Sequence, residues 1–130
     1  MQPNVPHVDV IVAEAKARDA GIAAVIATDI VGTIVYWNDH AVELYGWPSH
    51  EAIGRNVLDV TPTYTSAEEA ARIMEQLRRG ESWTGEFIAQ RRDGERIMTH
   101  VTDLPVIAGT DVVGVVGVSR AERRGGPRTA

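Results

Sequence analysis

The 130-residue chain contains no cysteine, which excludes disulfides, thiolate metal sites and cysteine nucleophiles. It has no apolar run near the roughly 18–20 residues that a membrane-spanning helix needs. It opens without the basic segment and apolar stretch of a secretory leader. Lys16 is the only lysine, and arginine supplies the remaining basic charge. The 13 basic residues are outnumbered by 18 acidic ones, giving a net charge of −5. That balance disfavours gripping a phosphate backbone, so no nucleic-acid partner is expected. A late basic cluster, Arg120, Arg123, Arg124 and Arg128, falls in a Gly/Pro-containing tail that reads as a solvated linker. Catalytic motifs are also missing. Gly109, Gly114 and Gly117 are followed by no Lys-Ser/Thr pair, and no nucleophile elbow occurs. His7, His40, His50 and His100 show no metal-ligand spacing, so no metal is expected. A cytoplasmic location and no membrane association fit these absences.

What is present describes one modest globular domain, with 44% apolar and 24% charged residues. Val8, Ile11, Val12 and Ala15 recur at helical spacing, predicting an amphipathic flanking helix within residues 1–20 that Gly21 ends. Two apolar runs, residues 22–28 and 33–37, flank Asp29-Ile30-Val31-Gly32 and predict a β-hairpin. Asn38 caps a helix through Ala41 and Leu44 that Gly46 stops, and Ser49 caps a shorter one stopped by Gly54. Residues 56–64 read as irregular. Ser66-Ala67-Glu68-Glu69 is a capping box opening a helix with the stripe Ala70, Ile73, Met74 and Leu77, ended by Gly80. Three strands follow, at about residues 82–91, 96–104 and 112–120. Asp93-Gly94 makes the first turn, and residues 105–111 are expected to form the second connection. Five strands interrupted by a helical block imply an α+β domain, an antiparallel sheet with helices on one face. The core spans residues 21–120, and residues 121–130 form the tail.

The stretch Ala27-Thr28-Asp29-Ile30-Val31-Gly32-Thr33-Ile34-Val35-Tyr36-Trp37-Asn38-Asp39-His40-Ala41 resembles the opening of a PAS core. Leu44-Tyr45-Gly46-Trp47 and Glu51-Ala52-Ile53-Gly54-Arg55 continue the likeness in order. So do Trp83-Thr84-Gly85-Glu86-Phe87, Arg91-Arg92-Asp93-Gly94 and Gly114-Val115-Val116-Gly117-Val118-Ser119-Arg120. The resemblance covers about residues 20–120 and implies a cytoplasmic bacterial sensor. It also looks like the N-terminal sensor of an actinobacterial multi-domain regulator of sigma-factor activity. The matched Asp, Asn and Gly residues have turn and capping roles; they identify a fold and carry no chemistry.

The light-sensing flavin branch of the family is similar around Gly54-Arg55-Asn56. Its adduct-forming cysteine falls here on Val57 and its phosphate-binding arginine on Leu58, while its ring-gripping amides fall on Ala89, Thr99 and Ser119. Cysteinyl-flavin photochemistry is therefore disfavoured. Haem-binding relatives place a histidine on the long helix, and residues 66–80 contain none. In the family register, strand alternation turns Ile26, Thr28, Phe87, Ala89, Ile97, Thr99, Val101, Val115, Gly117 and Ser119 inward. Leu44, Ile53, Leu58, Met74 and Leu77 face them from the helices. Ala89, Thr99, Gly117 and Ser119 are small, and close packing tolerates few voids, so helix side chains or a ligand must fill the gap. An aliphatic lining with a few hydroxyls suits a fatty-acid-like molecule. The competing expectation is collapse of helices onto sheet without ligand.

Ile88, Met98, Val112, Val116 and Val118 point to the other face, too apolar for open water. The flanking helix or a second copy would cover them; Val8, Ile11, Val12, Ala15, Ile88, Met98, Val116 and Val118 are the expected dimer or partner face, so a homodimer is expected. The leading reading is a regulatory sensor controlling an effector elsewhere on the polypeptide; the second is a ligand-free dimerisation module. Catalysis is the third and is not expected, since inward-facing Asp103 and loop residue Tyr64 are its only acid–base candidates.

Overall fold

The computed structural model describes residues 4–122. The remaining residues, including most of the expected tail, lie outside that range. The elements run α1 (Val8–Arg18), β1 (Ala24–Asp29), β2 (Ile34–Trp37), α2 (Asp39–Tyr45), α3 (Ser49–Ala52), α4 (Val57–Val60), α5 (Ala67–Arg78), β3 (Trp83–Gln90), β4 (Arg96–Ala108) and β5 (Asp111–Ala121). The five strands form one antiparallel sheet in the order β2-β1-β5-β4-β3. Bringing the last strand between the first and the fourth creates a concave face roofed by α2–α5.

Local chemistry explains most boundaries. The Asn38 side chain accepts from Ala41 N at the start of α2, and Gly46 ends it at φ 82°. Ser66 accepts from Glu69 N at the start of α5. Asp29 shapes the β1–β2 turn by accepting from Val31 N at 3.1 Å and Thr33 N at 2.8 Å. Gly32, at φ 99°, leaves room there for the Asn56 side chain, which bonds Val31 O and the Leu58 amide.

Three local expectations are corrected. Ser49 is the first residue of α3 rather than its cap; Pro48 occupies the cap position. The segment expected to be irregular contains α4, a single turn opened by the Asn56 side chain. The second connection also shrinks, because β4 runs on through Pro105 to Ala108. Proline is tolerated there because β3 pairs with β4 only as far as Asp103, leaving Pro105 in an edge segment whose neighbour is β5.

Helix α1 lies on the opposite face of the sheet. Ile11, Val12 and Ala15 are buried there against Val25, Ala27, Val35, Val106 and Val116, with Val8 and Val118 half-buried at the margin. Gly114 permits the approach, since a Cβ on it would stand 2.9 Å from Ile11 Cδ1. Asp19, just past the helix, accepts from the Tyr36 hydroxyl at 2.7 Å, Gly21 N at 3.0 Å and the Asn38 amide at 3.1 Å. The Tyr36 bond is the main cause that holds the Asp19 carboxyl below its ordinary value. Most of the apolar outer face is thus covered from within the chain, so Ile11, Val12, Ala15 and Val116, expected at a dimer face, are instead buried between α1 and the sheet. Ile88, 38% exposed, and half-buried Met98 stay outside that cluster.

Candidate functional site

Between the sheet and α2–α5 lies a cavity of about 410 Å³, within the roughly 300–1,000 Å³ range of small-molecule pockets. The sheet supplies its floor. On β5, Val115, Gly117 and Ser119 face the cavity, while Gly114, Val116 and Val118 between them face α1. Alternation on β4 likewise turns Thr99, Val101 and Asp103 inward. The roof includes Ile73, Met74 and Leu77 of α5 and Val57 and Leu58 of α4.

Of the residues expected inside, Ile26, Thr28, Leu58, Met74, Leu77, Phe87, Ala89, Thr99, Val101, Val115, Gly117 and Ser119 line the cavity. Leu44, Ile53 and Ile97 do not; they pack at the margin of the cluster formed by Trp37, Ala41, Tyr45, Ala52 and Val60. Tyr45 takes the cavity position on α2 that Leu44 was expected to hold. Adjacent helix residues point about 100° apart, so only one of the pair can face the sheet.

Four hydroxyls of the lining are bonded within the protein, while those of Thr28, Thr63 and Thr65 make no side-chain hydrogen bond among the described residues. The Tyr45 hydroxyl and Ser119 Oγ share a buried hydrogen bond of 2.9 Å. Thr99 Oγ1 donates to Phe87 O at 2.9 Å, and Thr61 Oγ1 to Val57 O at 3.2 Å. Asp103 is different. Among the described residues its carboxylate has no hydrogen-bond or ion-pair partner, and burial alone pushes it up from 3.8 to about 7. Its surface exposure is nevertheless intermediate, because what it exposes is cavity wall. Its Oδ1 lies over the bare backbone of the facing Gly117, where an added Cβ would stand 2.9 Å from it. Burial chiefly, and then the Asp103 charge, raise Tyr45 above its ordinary value, so its hydroxyl keeps its proton.

Sequence reasoning treated the lining as aliphatic with hydroxyls; it read Asp103 as inward-facing near a strand end and weighed it for catalysis, but left it out of the lining. The signal was available, because alternation carried two residues beyond Val101 reaches Asp103 on the same face. Ile73 was legible in the α5 stripe. Threonines 63 and 65 and Val31 reach the cavity through loops, where no periodicity announces them.

The lining contains no histidine and no thiol among the described residues. Tyr64 lies outside the cavity, 44% exposed, beneath the Arg96 guanidinium at 4.3 Å. The tryptophans behave as packing residues. Trp47 lies under Arg92 at 4.4 Å, and Trp83 stacks at 5.1 Å on Phe87 over Gly85. On the outer face, Glu86, His100 and Glu122 bring their ligand atoms within 4.8 Å of one another. Their proximity comes from the Glu86↔His100 strand pairing and from Glu122 N bonding Met98 O, which sequence spacing cannot show. Exposed acidic groups commonly gather in this way without an ion.

The PAS fold family profile matches residues 19–120. Phytochrome C of Sorghum bicolor is 40% identical over 62 residues, covering 48% of this chain and 5% of that protein. The chain therefore spans about a twentieth of that relative. The PAS domain of a protein from Colwellia psychrerythraea is similar with a TM-score of 0.71 and 26% identity, covering 88% of this chain and 98% of that one. The LOV protein of Rhodobacter sphaeroides superposes with a TM-score of 0.74 at 17% identity, covering 92% of this chain and 71% of that one, a likeness of fold alone. No helix among the described residues is long and apolar enough to cross a membrane. With the sheet order, the helical roof and the family match over residues 19–120 in agreement, the chain belongs to the PAS family.

Proposed function

We propose that the domain is a sensor whose cavity holds a small, largely aliphatic molecule, fatty-acid-like in its body, and whose occupancy is read by an effector elsewhere on the polypeptide. The observation that carries this reading is the open space itself. Close-packed interiors leave few voids larger than a water molecule, and about 410 Å³ remains between α5 and the sheet in a cleft whose lining residues Val31 and Leu58 are exposed. That volume favours an occupied pocket over helices collapsed on the sheet.

Strand β5 supplies the route outward. Its cavity residues Val115, Gly117 and Ser119 alternate with Gly114, Val116 and Val118, which support α1. A ligand pressing on one side of this strand alters the seat of the helix on the other. The reaction class is binding, with no catalytic step.

The test is extraction of the purified domain with organic solvent and mass analysis of what is released, paired with binding of an added eight-carbon alcohol. Gly117→Leu is the control. The Gly117 backbone has an ordinary φ, so the new side chain enters the cavity without backbone strain once the Asp103 carboxylate, 2.9 Å from the added Cβ, swings aside. The variant should stay folded by circular dichroism and lose uptake; unchanged uptake would place the binding site elsewhere.

A second reading, a dimerisation module, is favoured by one observation: Ile88 and Met98 remain outside the cover of α1. Sedimentation of Ile88→Glu against the parent tests it. A dimer lost in the variant supports the reading, and a parent that sediments as a monomer contradicts it.

A further inference from the structure

We propose that the cavity selects aliphatic molecules carrying a cationic amine, with Asp103 as the counter-ion that orients them. The proposal rests on the ligand-pocket reading above and sharpens it by naming the head group. The argument is one of unmet polar demand. Thr61, Thr99, Tyr45 and Ser119 all direct their hydroxyls to protein partners, while the Asp103 carboxylate has none among the described residues. An ionised carboxylate taken from water into an apolar cavity is costly unless a charge or donor meets it. Its neighbours across the sheet are Gly117 on β5 and Trp83 on β3, with Val101 two residues back on β4; Gly117 and Val101 offer no side-chain donor, and the Trp83 indole makes no bond to the carboxylate.

The other titratable groups of the lining do not supply the missing partner. Asp29 is engaged by the backbone amides of Val31 and Thr33 in the β1–β2 turn. Tyr45 is bonded to Ser119, and the Asp103 charge raises it further. Arg78 lies exposed at the end of α5, and it makes no contribution to the titration of Asp103, which burial alone displaces. An ammonium group brought in by a ligand would form a charge-assisted hydrogen bond with Asp103 and offset the cost of its burial. A ligand carboxylate in the same place would add a second uncompensated negative charge. The aliphatic body would then lie along Ile73, Met74 and Leu77 of α5, the apolar side of the cavity. Gly117 contributes by leaving Oδ1 uncovered, since a Cβ there would approach it to 2.9 Å.

The experiment is calorimetric titration with octylamine, octanol and octanoate, three probes of equal chain length, at about pH 8.5 and about pH 5.5, which bracket the Asp103 ionisation. At the higher pH octylamine should bind at least about tenfold tighter than octanol, and octanoate weakest. At the lower pH, with Asp103 protonated, the amine preference should shrink toward unity. Asp103→Asn, which preserves size, should still bind octanol and show no amine preference at either pH. Octanol or octanoate binding as tightly as octylamine to the parent at high pH overturns the assignment. So does an amine preference that survives in Asp103→Asn. Failure of all three probes to bind would overturn the pocket reading itself, a different outcome from an octanol-binding pocket without amine preference.

Discussion

Asp103 gives the domain a pH dependence of unusual sign. Most carboxylates are stabilised in folded proteins and strengthen the fold as pH rises. Asp103 is displaced the other way, from 3.8 to about 7, by burial. The folded state therefore holds this proton where the unfolded chain has lost it. Its effect on stability is absent below about pH 4, turns unfavourable between about 4 and 7, and is constant above. The displacement corresponds to at most about 4 kcal/mol, and water in the cavity lowers it. Asp103→Asn should accordingly match the parent near pH 4 and be more stable by about 1–3 kcal/mol above pH 7. Urea titrations across that range check it; a variant less stable than the parent at pH 8 would show that Asp103 has a protein partner. Sequence analysis reached this residue only as an inward-facing strand-end carboxylate. Its environment depends on Gly117 in the paired strand, which contacts it through the sheet and not along the chain.

Among the elements, α1 makes the contact most sensitive to single substitutions. Ile11 is fully buried beneath it, and truncation to alanine should cost about 2–5 kcal/mol. Gly114→Ala attacks the same seat from the strand. The added Cβ would run into Thr28 O and stand 2.9 Å from Ile11 Cδ1, so strand β1 or the helix must move. A loss of about 1–3 kcal/mol is expected, read as a melting temperature lower by roughly 4–20 °C. An unchanged melting temperature would mean that α1 is not seated as described. The elements most legible in the sequence are those with local signals: the Asn38 and Ser66 caps, the glycine stops, and the α5 stripe. Helix α4 has one turn and no room for a period, so Val57-Leu58-Asp59-Val60 read as loop. The end of β4 was hidden by Pro105, whose acceptability depends on where β3 stops pairing.

At the scale of the whole molecule, the sheet is a partition with a different task on each face. Pocket residues and α1-supporting residues alternate along β5, so the cavity and the helix share one strand. The alternation pattern made both faces readable: most expected pocket residues fall in the cavity, and the flanking helix covers much of the apolar outer face. The three that missed, Leu44, Ile53 and Ile97, are displaced by how α2, α3 and the β3–β4 hairpin pack on one another, which no single segment encodes. Ligand binding should stabilise the domain by about 2.7 kcal/mol at one hundred times its dissociation constant, and Gly117→Leu should abolish that gain. The most direct test is methyl NMR of the domain titrated with octanol. Saturable shifts should appear at Ile73, Leu77, Val101 and Val115 and continue weakly to Val116 and Ile11, and all should vanish in Gly117→Leu. Shifts confined to Ile88 and the outer face, or shifts that persist in Gly117→Leu, would contradict a ligand-sensing cavity.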